Sequence, residues 1–152
     1  MDPTDVFKNN LGHWIKKLDH VMTIKINELL RPYGLARSQW EVLYRIQNSN
    51  GISQKDLQDV MKVESGTLTG IIDALVRKGW VTRREHPNDR RVKVLAPTED
   101  SPIQWADVPN PIHALRPVMM HGISSDVEDF VIGVLKTAVL NLENAQNMEV
   151  NL

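Results

Sequence analysis

The 152-residue sequence contains no cysteine. Disulfides, thiolate zinc sites and thiol nucleophiles or redox switches all require that residue and are therefore excluded, which favours a reducing, intracellular setting. Long apolar runs are missing as well. No uncharged stretch approaches the roughly 18 residues that span a bilayer. The opening Met1-Asp2-Pro3-Thr4-Asp5 has neither the basic nor the apolar region of a secretory signal. The expectation is a soluble, cytoplasmic protein with no membrane partner. Also lacking are a phosphate loop, a nucleophile–base constellation and a paired-carboxylate motif, so no catalytic residue and no cofactor is assigned and an enzyme is not expected. The histidines His13, His20, His86, His113 and His121 show no metal-ligand spacing, since no two lie three or four residues apart on one helix. No metal ligand is assigned, and a metal-responsive protein stands only as an alternative.

Net charge is small too, at −1, which by itself argues mildly against a nucleic-acid partner. Its distribution is uneven, however. Between Arg77 and Lys93 lie seven basic residues (Arg77, Lys78, Arg83, Arg84, Arg90, Arg91, Lys93) and two acids (Glu85, Asp89), whereas Gly122 to Leu152 carries five acids and one lysine. One part of the chain is suited to phosphate. With 41% hydrophobic and 24% charged residues, the chain fits one ordinary globular domain or two small modules sharing a core.

The apolar pattern lays out the elements. Asp2 can cap a helix with Pro3 at its first position and Asp5 in its first turn. A stripe of Phe7, Leu11, Trp14, Ile15, Leu18, Val21, Met22, Ile26 and Leu29 then predicts one helix of about seven turns, ended by Pro32-Tyr33-Gly34. A stripe of that length requires either a core larger than this chain supplies or a second subunit. Ser38-Gln39-Trp40-Glu41 reads as a capping box for a helix through Ile46. Ser53-Gln54-Lys55-Asp56 opens a short one ending near Met61, with Ile52 and Leu57 as a hydrophobic staple. After Glu64-Ser65, an apolar face of Leu68, Ile71, Ile72, Leu75 and Val76 is closed by Gly79.

From Trp80 the period changes to two. Trp80–Arg84 and Val92–Leu95 flank a turn-rich tip at His86–Arg90, which predicts a hairpin. Two short helices joined by a tight turn, followed by a basic hairpin, are the layout of a winged helix-turn-helix. In Ser101–Pro117, Pro102, Pro109, Pro111 and Pro117 predict short helical pieces with a bend. Ser125-Asp126-Val127-Glu128 reads as a capping box for a last amphipathic helix, with the stripe Val127, Phe130, Val131, Val134, Leu135, Ala138 and Leu142, to about Glu143. The fold class expected is mainly α with a small β-hairpin wing. Its segments are an N-terminal dimerisation helix (1–34), a winged helix-turn-helix DNA-binding domain (35–96), and a linker with a C-terminal dimerisation helix (97–152).

In a helix-turn-helix the second helix enters the major groove by its N-terminal end. Here that surface is Ser65, Gly66, Thr67, Thr69 and Gly70, small enough for close approach but without the Arg, Asn or Gln that reads bases bidentately. At the hairpin tip Arg90 or Arg91 would enter a narrow minor groove, with Asp89 orienting an arginine through a fork-like ion pair. Arg77, Arg84 and Lys93 complete the candidate DNA-contacting set. A winged domain serving protein contacts without DNA is the further alternative, against which the basic excess weighs.

The run Gly66-Thr67-Leu68-Thr69-Gly70-Ile71-Ile72-Asp73-Ala74-Leu75-Val76-Arg77-Lys78-Gly79-Trp80-Val81, then Arg83-Arg84 and Pro87-Asn88-Asp89-Arg90-Arg91-Val92, resembles the MarR/SlyA family of transcription regulators. The Asp-x-Arg wing motif falls on Asp89 and Arg91. The resemblance implies a triangular homodimer with intertwined terminal helices that reads a pseudo-palindromic double-stranded operator. It also implies a repressor released by a small aromatic acid, held in a crevice lined by some of His13, Trp14, Lys17, Trp40, Tyr44 and His113. Where the family continues from the wing into one long helix, this chain has Ala96-Pro97-Thr98-Glu99-Asp100 and the four prolines.

Overall fold

The computed structural model describes residues 10–86, 88–99, 101 and 103–145, and its contacts divide the chain into two compact units, Met1–Pro111 and Ile112–Leu152. In the first unit, helix α1 (Leu11–Leu30) leads through a 3-10 turn (Arg31–Tyr33) to α2 (Arg37–Gln47). A two-residue strand β1 (Ile52–Ser53) precedes α3 (Gln54–Met61) and α4 (Ser65–Arg77). The hairpin β2 (Val81–His86) and β3 (Asp89–Pro97) follows, and then a 3-10 turn at Trp105–Asp107. Helix α5 (Pro111–Met119) begins at the junction, and α6 (Ser125–Asn144) lies in the second unit. The architecture is a helix-turn-helix with a three-stranded antiparallel sheet of order β1-β3-β2.

The expected single N-terminal helix is corrected. The described helix begins at Leu11 because Asn10 is its N-cap, in extended conformation, with its side-chain oxygen accepting the Gly12 N–H at 2.7 Å. The expected cap at Asp2–Asp5, and Phe7 of the stripe, lie outside the described residues. The helix ends where expected, at Pro32-Tyr33-Gly34, with Gly34 in the left-handed region (φ 67°) that a residue with a Cβ adopts only at a cost.

Helix α2 also starts earlier than the Ser38 box suggests. Ala36 is its N-cap, and the free first-turn N–H of Arg37 is satisfied from outside the helix, by Asn27 Oδ1 of α1 at 2.7 Å. Gln39 supplies half a capping box, accepting the Ala36 N–H at 3.2 Å. Helix α3 begins as expected, with Ser53 Oγ accepting the Asp56 N–H at 3.1 Å. At the far end of α4, Gly79 (φ 78°) permits a closing pair of bonds, Trp80 N–H to the Leu75 carbonyl and Gly79 N–H to the Val76 carbonyl, both 3.0 Å.

The core lies among α2, α3, α4 and the sheet. Leu43, Ile46, Leu57, Leu68, Ile72 and Leu75 are fully buried, with Trp80 and Val94 beside them in burial. Strand β1, which carries too little pattern to be read from sequence, pairs Ile52 with Leu95 and Ser53 with Val94. The hairpin runs from Val81 opposite Pro97 to His86 opposite Asp89, with an irregularity at Glu85/His86.

The proline-rich stretch resolves into the expected short pieces: Pro111 opens α5, where its missing N–H costs nothing, and Pro117 sits inside it. In the second unit, Ser124 rather than Ser125 caps α6, accepting the Val127 N–H. Arg116 pairs with Glu128 and ties α5 to α6. None of the residues of α6 is buried: Val127, Phe130, Val131, Val134 and Leu142 of the expected stripe are all exposed. In α1, Leu11, Trp14, Ile15, Leu18 and Val21 are likewise exposed, and only Ile26 and Leu30 are buried.

Candidate nucleic-acid interface

Helix α4 presents its first turn to solvent. Ser65, Gly66, Thr67 and Gly70 are exposed, Thr69 is half-buried, and Leu68 points into the core. A Cβ added at Gly66 or Gly70 would meet no atom within 4 Å, so nothing inside the protein demands a glycine at either position. Interior glycine weakens a helix by about 1 kcal/mol relative to alanine. Their lack of a side chain leaves the outer face of the helix bare there. The Thr69 hydroxyl is not free: it donates to the Ser65 carbonyl and accepts from Gln54 Nε2, each at 2.8 Å.

The cations of the hairpin divide by partner. Arg83 is bound to Asp73 of α4 at 2.5 Å, which ties strand β2 to the helix. Lys93 lies 3.3 Å from Glu85 across the hairpin, and Arg90, 91% exposed, reaches the same carboxylate only at 4.0 Å. Arg77, Arg84 and Arg91 are exposed and have no side-chain partner among the described residues. The expected fork between Asp89 and an arginine is replaced by a local bond. Asp89 Oδ1 accepts the backbone N–H of Arg91 at 3.0 Å, an Asx turn that shapes the tip while leaving the Arg91 guanidinium uncommitted. Asp89 thus positions Arg91 through the main chain. His86 Nδ1 adds a second tip bond, accepting the Asn88 N–H at 3.1 Å.

The expected ligand-lining residues of the first unit fall into two groups. His13 and Trp14 meet edge-on, and Lys17 Nζ stands 5.0 Å from the centre of the Trp14 ring, all on the exposed face of α1. Trp40, buried, stacks on Tyr44 at 5.0 Å, and Trp105 joins them at 6.3 Å from Trp40. His113 is exposed on α5 and belongs to the second unit. A cleft of about 320 Å³ between α1 and α2 is lined instead by polar residues, among them Asp19, Thr23, Asn27, Arg37 and Glu41. Arg37 donates there to Asp19 at 2.7 Å and Glu41 at 3.0 Å. Partial burial works against its charge, but the hydrogen bonds it donates to Asp19 and Glu41 outweigh that, and the guanidinium is held more firmly protonated than usual. Among the described residues no three His, Asp or Glu side chains form a group that could hold a metal, and no helix is long and apolar enough to cross a membrane.

Gln54, Asp73 and Trp105 were not singled out in the sequence. Asp73 carried a signal, as an acid on a helix followed by a run of arginines. Gln54 and Trp105 carried none, because their partners lie far along the chain.

The fold and this surface define a winged helix-turn-helix protein of the DNA-binding class. A sequence model of the MarR family matches residues 35–93. The chain is 33% identical over 99 residues to the uncharacterized HTH-type transcriptional regulator YwoH of Bacillus subtilis, covering 65% of this chain and 72% of that protein. It is 37% identical over 81 residues to the multiple antibiotic resistance protein MarR of Escherichia coli, covering 53% of this chain and 56% of the relative. Among solved structures, a mutant of E. coli MarR complexed with operator DNA superposes with a TM-score of 0.75 at 27% identity, over 84% of this chain and 92% of the other. The chain belongs to the MarR family and is a winged-helix transcription regulator, not an enzyme.

Proposed function

We propose that this chain works in the cytoplasm as a homodimer that binds a pseudo-palindromic duplex operator and represses transcription until a small aromatic or anionic ligand releases it. The observation that carries the reading is the set of uncommitted guanidiniums, Arg77, Arg84 and Arg91, on and beside a helix whose first turn is exposed and nearly bare of side chains. Ser65, Gly66, Thr67, Thr69 and Gly70 approach the major groove. Arg91 enters the minor groove, supported by Asp89, and Arg77, Arg84, Arg90 and Lys93 meet phosphates. The solved complex of the E. coli relative with operator DNA supports this assignment by likeness.

The second copy covers the apolar faces of α1 and α6, which single-chain packing leaves in water. In this arrangement residues 1–34 and 97–152 carry dimerisation and 35–96 the DNA contact. The effector lies against some of His13, Trp14, Lys17, Trp40, Tyr44 and His113, with Lys17 or a histidine facing its carboxylate and the aromatic rings covering its ring. The test is a titration of the purified protein into duplexes from the upstream region of its own gene, at two salt concentrations, with and without benzoate. Tight binding that weakens with salt and with benzoate supports the whole reading. Affinity equal to that for random duplex removes the operator, and indifference to benzoate removes the aromatic-acid effector.

A further inference from the structure

The hydroxyl of Thr69, one turn into α4, makes two hydrogen bonds inside the protein. Its single proton goes to the Ser65 carbonyl at 2.8 Å, and its oxygen accepts from Gln54 Nε2 at 2.8 Å. A base or phosphate acceptor could take that proton only by breaking the bond to Ser65. Gln54 is the first residue of α3 and Ser65 the first of α4, so the two bonds fasten the start of one helix to the opening turn of the other. Buried Leu57 and Leu68 hold the same helices by apolar area, an attraction that is non-directional, and the directional bonds of Asp73 and Lys78 act further along α4, so directional control of its first turn falls to Gln54. A hydrogen bond loses strength once its angle fails, so the Gln54–Thr69 bond selects one rotation. Recognition requires groups held to roughly 0.5 Å and 10–20°.

We propose that Gln54 is a positioning residue for operator binding: through Thr69 it sets the rotation of α4, so that preference for the correct DNA sequence depends on Gln54 without its touching a base. The proposal rests on the DNA-binding reading above and gives the Thr69 hydroxyl proton an internal role.

The test uses the full chain and a duplex enriched by it from a random pool. Fluorescence anisotropy compares that duplex with random DNA for the wild type, Gln54→Met, Thr69→Val, Thr69→Ser and the Gln54→Met/Thr69→Val double variant. Methionine keeps the length of glutamine without donors, valine keeps the shape of threonine without the hydroxyl, and serine keeps the hydroxyl. Gln54→Met and Thr69→Val are each expected to lower the preference for the selected duplex about fivefold, the worth of one net hydrogen bond. The double variant loses no more than either single, and Thr69→Ser keeps the preference. Gln54→Met leaves random-duplex affinity at the wild-type value, and each single variant lowers the thermal midpoint by no more than the loss of one hydrogen bond would.

Additive losses, an equal loss on random DNA for Gln54→Met, or unfolding at the assay temperature that accounts for the loss each overturn the proposal. So does a Thr69→Ser variant as weak as Thr69→Val. If the wild type enriches no duplex, the DNA-binding reading falls and the proposal with it. If it does and the variants match it, the proposal alone falls.

Discussion

Lys78 Nζ donates to the carbonyl of Gly34 at 2.6 Å and to Gln39 Oε1 at 2.9 Å. Lys78 is the C-cap of α4 and Gly34 ends the turn after α1, so the far end of α4 is moored to the junction of α1 and α2. Gln54 moors its near end. The helix is held at both ends by side chains that sit outside its exposed face.

Replacing Lys78 with methionine should keep the aliphatic stem and remove both bonds. A loss of about 0.5–1.5 kcal/mol in unfolding free energy is expected from urea titration, with the denaturant slope unchanged. Wild-type stability in this variant would show that solvent replaces the bonds without cost.

Gly70→Ala should move stability and binding in opposite directions. The new Cβ meets nothing in the protein, so the helix gains up to about 1 kcal/mol. Operator affinity should fall because the helix can no longer approach as closely. A variant with a higher thermal midpoint and unchanged affinity would place the DNA elsewhere.

The two kinds of wing arginine should separate in a salt titration. Arg91→Ala removes an uncommitted charge and should weaken binding and lessen the salt slope by about one. Arg83→Ala breaks the Asp73 pair and should change the slope less, since that charge is already balanced within the protein.

A charge in the face of α6 should separate the subunits. Leu135→Glu is expected to give a monomer by analytical ultracentrifugation and to abolish tight operator binding, because the two half-sites are then contacted independently. A stable dimer would show that the partner packs against another surface.

The local grammar of the chain was readable without coordinates. Ser53 as a cap, the glycines ending the 3-10 turn and α4, and the change of period at Trp80 all depend on residues within a few positions of one another. Where the reading slipped, a nearer or longer-range partner intervened. Asn10 divided a stripe that looked continuous, and Asp89 found the Arg91 backbone two residues away before any guanidinium.

The sequence by itself therefore determined the class of fold, the helix-turn-helix with its basic hairpin, since periodicity, turn chemistry and charge runs are short-range properties, and its motifs carried the resemblance to the family. Only the tertiary structure decided where α2 begins, which arginines have a carboxylate partner among the described residues and which bonds Thr69 makes. Those outcomes depend on partners ten residues apart in Asn27–Arg37 and Asp73–Arg83, fifteen in Gln54–Thr69 and forty-four in Gly34–Lys78. No pattern of three or four residues reaches that far. Such pairs exist because packing of the apolar core brings distant polar groups within bonding distance, and the directional bonds they form then choose among the arrangements the core allows.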